Sequence, residues 1–148
     1  YESRDLIRQI FPGSQVFIKP NSGRKLFDGT TISYKWWKES LNIVRNLPHS
    51  HVKDEDLILV SSNKEIISEI RCLMHLGNLI DYSWHKGEKM SPDLSLLKFD
   101  WYPSYFYTVD LAYTDKWNIL EFNSFESAGL YDMRPENYVP YIERVLSV

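Results

Sequence analysis

The 148 residues are 43% hydrophobic and 15% aromatic, which excludes a disordered chain and makes one packed domain the expectation for this length. A formal net charge of −3 supplies no global basic field, which argues against a protein whose main task is to hold nucleic acid by its phosphates. The single cysteine, Cys72, excludes an intramolecular disulfide, and no apolar run approaches the roughly 20 residues of a membrane helix, so a cytoplasmic chain without a membrane partner is expected.

In chain order, residues 3–10 carry Leu6, Ile7 and Ile10 and predict a short helix ending at Phe11-Pro12-Gly13. Val16-Phe17-Ile18-Lys19-Pro20 reads as a buried strand bearing a cation at its end. In Gly23-Arg24-Lys25-Leu26-Phe27-Asp28-Gly29 the glycines bracket a basic stretch, which predicts a mobile loop whose backbone amides can close over phosphates, with Phe27 as its apolar anchor. Singly, Lys19 and Lys25 read as ordinary surface lysines; as a pair they are more telling. Residues 34–47 place Trp36, Trp37, Leu41, Ile43, Val44 and Leu47 near helical spacing and stop before Pro48. His49 and His51 follow in a polar connection, and without a Cys or His cluster of metal-binding spacing they read as loop histidines.

Leu57-Ile58-Leu59-Val60-Ser61-Ser62 is a second apolar strand, and residues 66–75 form a third. The strand period puts Glu69, Arg71 and Leu73 on one side of it and Ile70, Cys72 and Met74 on the other, so Cys72 is expected as a small buried hydrophobe. Gly77-Asn78 predicts a hairpin into residues 79–84. A short helix is expected over residues 90–98, with Ser91 as its N-cap and Pro92 in first position. Residues 135–148 predict a final helix with Tyr138, Val139, Ile142, Val145 and Leu146 facing inward.

Residues 105–113 and 117–125 are rich in aromatic and β-branched side chains and flank a polar turn at Asp115 and Lys116, which reads as an antiparallel hairpin. With the turn centred there, Asp110 lies opposite Glu121 and Thr108 opposite Asn123. Opposed acids with Cβ atoms roughly 5 Å apart destabilise a hairpin unless something neutralises them. A divalent metal would do so, and the oxygen set of Asp110, Glu121 and Asn123 suits a hard cation such as Mg²⁺. Solvated acids on an exposed sheet face are the alternative.

In this order the parts resemble the ATP-grasp superfamily, and are most similar to its compact branch of small ATP-grasp domain proteins known from phages and bacteria. The most specific stretch is Ile119-Leu120-Glu121-Phe122-Asn123-Ser124-Phe125-Glu126-Ser127-Ala128-Gly129-Leu130-Tyr131, which joins a Glu-x-Asn pair to a run of small and aromatic residues. The resemblance implies an α+β fold of two lobes whose antiparallel sheets clasp a nucleotide, a smaller lobe over residues 1–56 and a larger one over 57–148. It implies a phosphate lysine at Lys19, a second at Lys25, an adenine-binding hinge along Leu59, Val60 and Ser61, an acidic and basic pair at Glu69 and Arg71, and a metal triad of Asp110, Glu121 and Asn123. Members usually carry a further α/β domain ahead of the grasp region. This chain starts at Tyr1 without Met, so a fragment, or a minimal version lacking the acceptor-binding part, is expected.

The implied reaction is an ATP- and Mg²⁺-dependent ligation, in which a carboxylate attacks the γ-phosphate and the acyl phosphate is captured by an amine or thiol, on a peptide or protein among other acceptors. Arg71 is the candidate for holding the carboxylate or acyl phosphate, because a guanidinium matches planar oxyanions bidentately, with Lys25 assisting from the loop. Three other classes stay open: a nucleotide-binding module without turnover, a phosphotransferase of the same fold, and an aromatic-rich interaction domain in which Asp110 and Glu121 are solvated acids.

Overall fold

The computed structural model describes residues 2–21, 26–48, 51–53 and 55–147. It divides into two compact units, Tyr1–Lys64 and Glu65–Val148.

The first unit contains α1 (Glu2–Ile10), β1 (Gln15–Pro20), β2 (Thr30–Ser33), α2 (Trp37–Arg45) and β3 (Ile58–Ser62). The strands form an antiparallel sheet in the order β2-β1-β3. Alternation along β1 sends Val16 and Ile18 into a core with Ile32, Tyr34, Trp37 and Val44, and leaves Phe17 and Lys19 on the other face. β2 is an addition to the expected elements. It is four residues long, and its Thr-Thr-Ile run pairs with β1 beside Gly29, where a Cβ would collide with the Phe17 ring. Phe27, expected to anchor a loop, is buried in this core. The lobe boundary expected after residue 56 also differs. β3 pairs with β1, and Ile58 and Val60 pack onto the first core, so the first unit runs on to Lys64.

The second unit is an antiparallel sheet in the order β5-β4-β6-β7, built from β4 (Ser68–His75), β5 (Asn78–Gly87), β6 (Phe106–Tyr113) and β7 (Trp117–Ser124), followed by α3 (Pro135–Leu146). One face carries the core: Ile70, Cys72 and Met74 of β4 and Tyr107, Val109 and Leu111 of β6, with Leu97. Burial pushes the Cys72 thiol up to about 12, as suits an inert core residue. The β4–β5 turn is Leu76-Gly77, one residue earlier than expected, and both residues have positive φ (48° and 80°), the requirement of a type I′ hairpin turn. Residues 90–98 form no α-helix. Only Leu94–Leu97 winds, as a 3-10 turn, with the Asp93 carboxylate rather than Ser91 capping it by accepting from the Ser95 N–H. In α3, Tyr138 and Ile142 are half-buried, while Val139 and Val145, expected inward, are exposed. The Leu146 side chain lies outside the described part of the chain.

Candidate functional site

The opposite face of the second sheet carries the chemistry. β6 and β7 place Asp110 opposite Glu121 and Thr108 opposite Asn123, the expected pairs, by a different route. The turn holds three residues between the paired Tyr113 and Trp117, and a bulge at Leu120 restores the register before Asp110. Phe122, pointing the other way, packs on the core.

β4 lies beside β6, and Arg71 stands directly opposite Asp110. The guanidinium donates to both carboxylate oxygens, Nε to Oδ1 and Nη2 to Oδ2, each at 2.7 Å. Both residues are buried, Asp110 at 1% exposure. The neutralisation expected from a metal is therefore supplied to Asp110 by Arg71, whose proton is held more firmly than usual because of its hydrogen bonds to Asp110. The Asn123 amide donates at 3.2 Å to Asp110 Oδ2 and at 3.2 Å to Glu121 Oε1, so the three residues of the triad are in contact.

Glu69, two residues before Arg71 on the same face, lies 3.7 Å from His85. Its carboxyl is pushed above the usual range, first by burial, with Asp110 and Glu121 adding to the shift and His85 and Lys86 opposing it. The chain after β7 crosses this face. Arg71 Nη1 donates to the Gly129 carbonyl at 3.1 Å and to the Tyr131 hydroxyl at 3.3 Å, and the Ser83 hydroxyl donates to the Leu130 carbonyl at 3.3 Å. Sequence reasoning misses these partners, and with them the buried Thr108 hydroxyl, which has no partner among the described residues. Period-2 alternation marks Thr108 as sharing a face with Asp110, whereas nothing in the local sequence couples residue 131 to residue 71.

The other site residues lie in the first unit. Lys19 sits half-buried opposite Leu59, and Val60 and Ser61 pair with Ile18 and Phe17. β3 is an edge of its sheet, so alternate backbone groups of Leu59, Val60 and Ser61 point away from β1. Lys25, with Gly23 and Arg24 of the glycine-bracketed loop, and His49 lie outside the described residues.

Among the described residues no three His, Cys, Asp or Glu side chains gather as a metal site. The oxygens of Glu121, Asn123 and Asp110 nonetheless fit a hard cation that keeps part of its water shell. Asp110 has the smaller share to give, because both of its oxygens accept from Arg71.

No curated protein matches this sequence. A crystal structure of D-alanine--D-alanine ligase from Bacillus anthracis shares the fold, with a TM-score of 0.56 at 15% identity over 97% of this chain and 54% of that one. This chain thus spans about half the length of that ligase. The model of an ATP-grasp domain family, the second family of its clade, matches residues 5–141, and the chain belongs to that ATP-grasp family.

Proposed function

We propose that this chain is the nucleotide-binding part of an ATP- and Mg²⁺-dependent ligase that joins a carboxylate to an amine or thiol through an acyl phosphate. The observation that carries the reading is the convergence of Asp110, Glu121, Asn123 and Arg71 on one sheet face of an ATP-grasp domain, with Asn123 bridging both acids at 3.2 Å. The likeness in fold to a ligase agrees with it.

In this reading the backbone edge of Leu59, Val60 and Ser61 accepts from and donates to the adenine rim, and Lys19 and Lys25 place point charges at the phosphates. Glu121, Asn123 and Asp110 would hold Mg²⁺, which when bound offsets charge on the phosphate oxygens. Glu69 flanks the nucleotide side of this face. The substrate carboxylate, oriented by the Arg71 guanidinium, attacks the γ-phosphorus, ADP leaves, and the amine or thiol then displaces phosphate from the acyl carbon. Positioned charge supplies most of the acceleration.

ATP titration with Mg²⁺ and with EDTA tests the reading. Affinity is expected to be about tenfold higher with Mg²⁺, a difference of ~1.4 kcal/mol, and Glu121→Gln is expected to abolish the difference. Asp110→Asn should act likewise, but Glu121→Gln is the cleaner variant because it leaves the Arg71 pair intact. Equal affinity in both buffers overturns the cation site. A nucleotide-binding module without turnover is the second reading, favoured by the ion pair that already satisfies Asp110. Release of ADP only when a carboxylate and an amine are both supplied decides for the ligase, and a stable phosphorylated product would point instead to a phosphotransferase.

A further inference from the structure

Tyr131 is held in the left-handed region, at φ 52°, where a bulky side chain is a genuine outlier and costs of order 1–3 kcal/mol. Burial does not explain it, since the residue is 49% exposed. What the conformation achieves is a placement. The ring stacks on His85 with centroids 4.3 Å apart and lies 5.0 Å from the Arg71 guanidinium carbon. Its hydroxyl accepts from Arg71 Nη1 at 3.3 Å. The flanking backbone is fixed on both sides: the Leu130 carbonyl accepts from Ser83 and from the Met133 N–H, and the Arg134 N–H donates to Asp81.

A donor count shows what remains for a ligand. Arginine has five N–H groups. Nε and one Nη2 hydrogen go to Asp110, and the two on Nη1 go to the Gly129 carbonyl and Tyr131. One Nη2 hydrogen has no partner among the described residues. The Tyr131 hydroxyl, already accepting from Arg71, keeps its own proton to donate. We infer that Tyr131 is a second contact residue for the oxyanion bound by Arg71, a carboxylate or a phosphoryl group, and that its strained backbone sets both the guanidinium and the phenol in place before the ligand arrives. This rests on the reading of Arg71 as the acceptor-side group, and it adds a neutral donor beside a cation whose charge Asp110 already balances. Such a pair favours a ligand able to accept from two directions over a simple spherical anion.

The test needs neither nucleotide nor metal, so its failure is separate from a failure of the ATP reading. Inorganic phosphate is titrated into the protein while the Arg71 Nε–H resonance is followed by NMR. Phosphate is expected to shift that resonance, and Tyr131→Phe, which keeps the ring, the stack and the backbone, is expected to weaken phosphate binding about tenfold, as loss of one hydrogen bond to a charged partner does. Tyr131→Gly relieves the backbone and is expected to melt at the same or a higher temperature, while Arg71 Nε–H exchanges faster with solvent. Unchanged phosphate affinity in Tyr131→Phe overturns the contact role. A lower melting temperature for Tyr131→Gly with unchanged Arg71 exchange would make the residue a packing element and overturn the positioning role. No phosphate effect on Arg71 in the unmutated protein overturns the whole inference.

Discussion

In the three-stranded sheet the candidate cation, Lys19, lies half-buried on the face opposite the core, across from an exposed Leu59. In the four-stranded sheet Arg71 and Asp110 sit in the two central strands, both buried, and each depends on the other. The contrast separates two ways of carrying a functional charge. A partly solvated lysine keeps its hydration and places little demand on the fold. A buried guanidinium and carboxylate must each satisfy nearly every donor and acceptor, because the desolvation penalty of an unpaired partner amounts to several kcal/mol. Substitutions should accordingly affect binding alone in the first sheet, and folding as well as chemistry in the second.

The largest effect is expected at Arg71. Arg71→Met leaves Asp110 buried without its counter-ion and should lower unfolding free energy by about 3–5 kcal/mol, read from urea denaturation. Adding Asp110→Leu to that variant should recover most of the loss, since an apolar pair has no buried charge to strand. A single variant as stable as the unmutated chain would show that the ion pair does not hold the second sheet together.

A smaller and different effect is expected at Lys19. Lys19→Ala should leave the urea midpoint unchanged and weaken ATP binding about tenfold, ~1.4 kcal/mol, because a strand-end cation meets phosphates already charged in the ground state. Lost stability with retained ATP affinity would erase the distinction between the two sheets.

The smallest effect concerns Glu69, whose carboxyl is raised chiefly by burial from an ordinary value near 4.5. The folded protein holds this proton more tightly than the unfolded chain does. Between the ordinary and the raised value the folded state therefore binds more protons, and stability falls as pH rises. The penalty is absent below the ordinary value and complete above the raised one. Glu69→Gln removes it, so this variant should be slightly more stable than the unmutated chain at neutral pH and equal to it below 4.5. A difference that stays constant with pH would show that the carboxyl's charge is not what the site penalises.

Much of the second sheet's site can be read before any tertiary contact is known. Period-2 alternation separates Glu69 and Arg71 from Cys72, and Glu121 and Asn123 from Phe122, because adjacent side chains in a strand must point to opposite faces. The hairpin pairing of Asp110 with Glu121 follows from a short local turn, although the bulge at Leu120 is needed to make it so. The order of these parts also carries the family, which the match over residues 5–141 establishes.

Tertiary structure alone decided the rest. Strand order puts β4 against β6, and only that adjacency brings Arg71 to Asp110 across 39 positions of sequence, supplying from within the chain the positive charge that the hairpin by itself would require from a metal. It also sends β3 to the edge of the first sheet and Tyr131 over Arg71. Alternation and turn chemistry act over a few residues and are written locally. The partner of a buried charge is chosen by which strands pair at long range, where the gain from satisfying that charge outweighs any local preference.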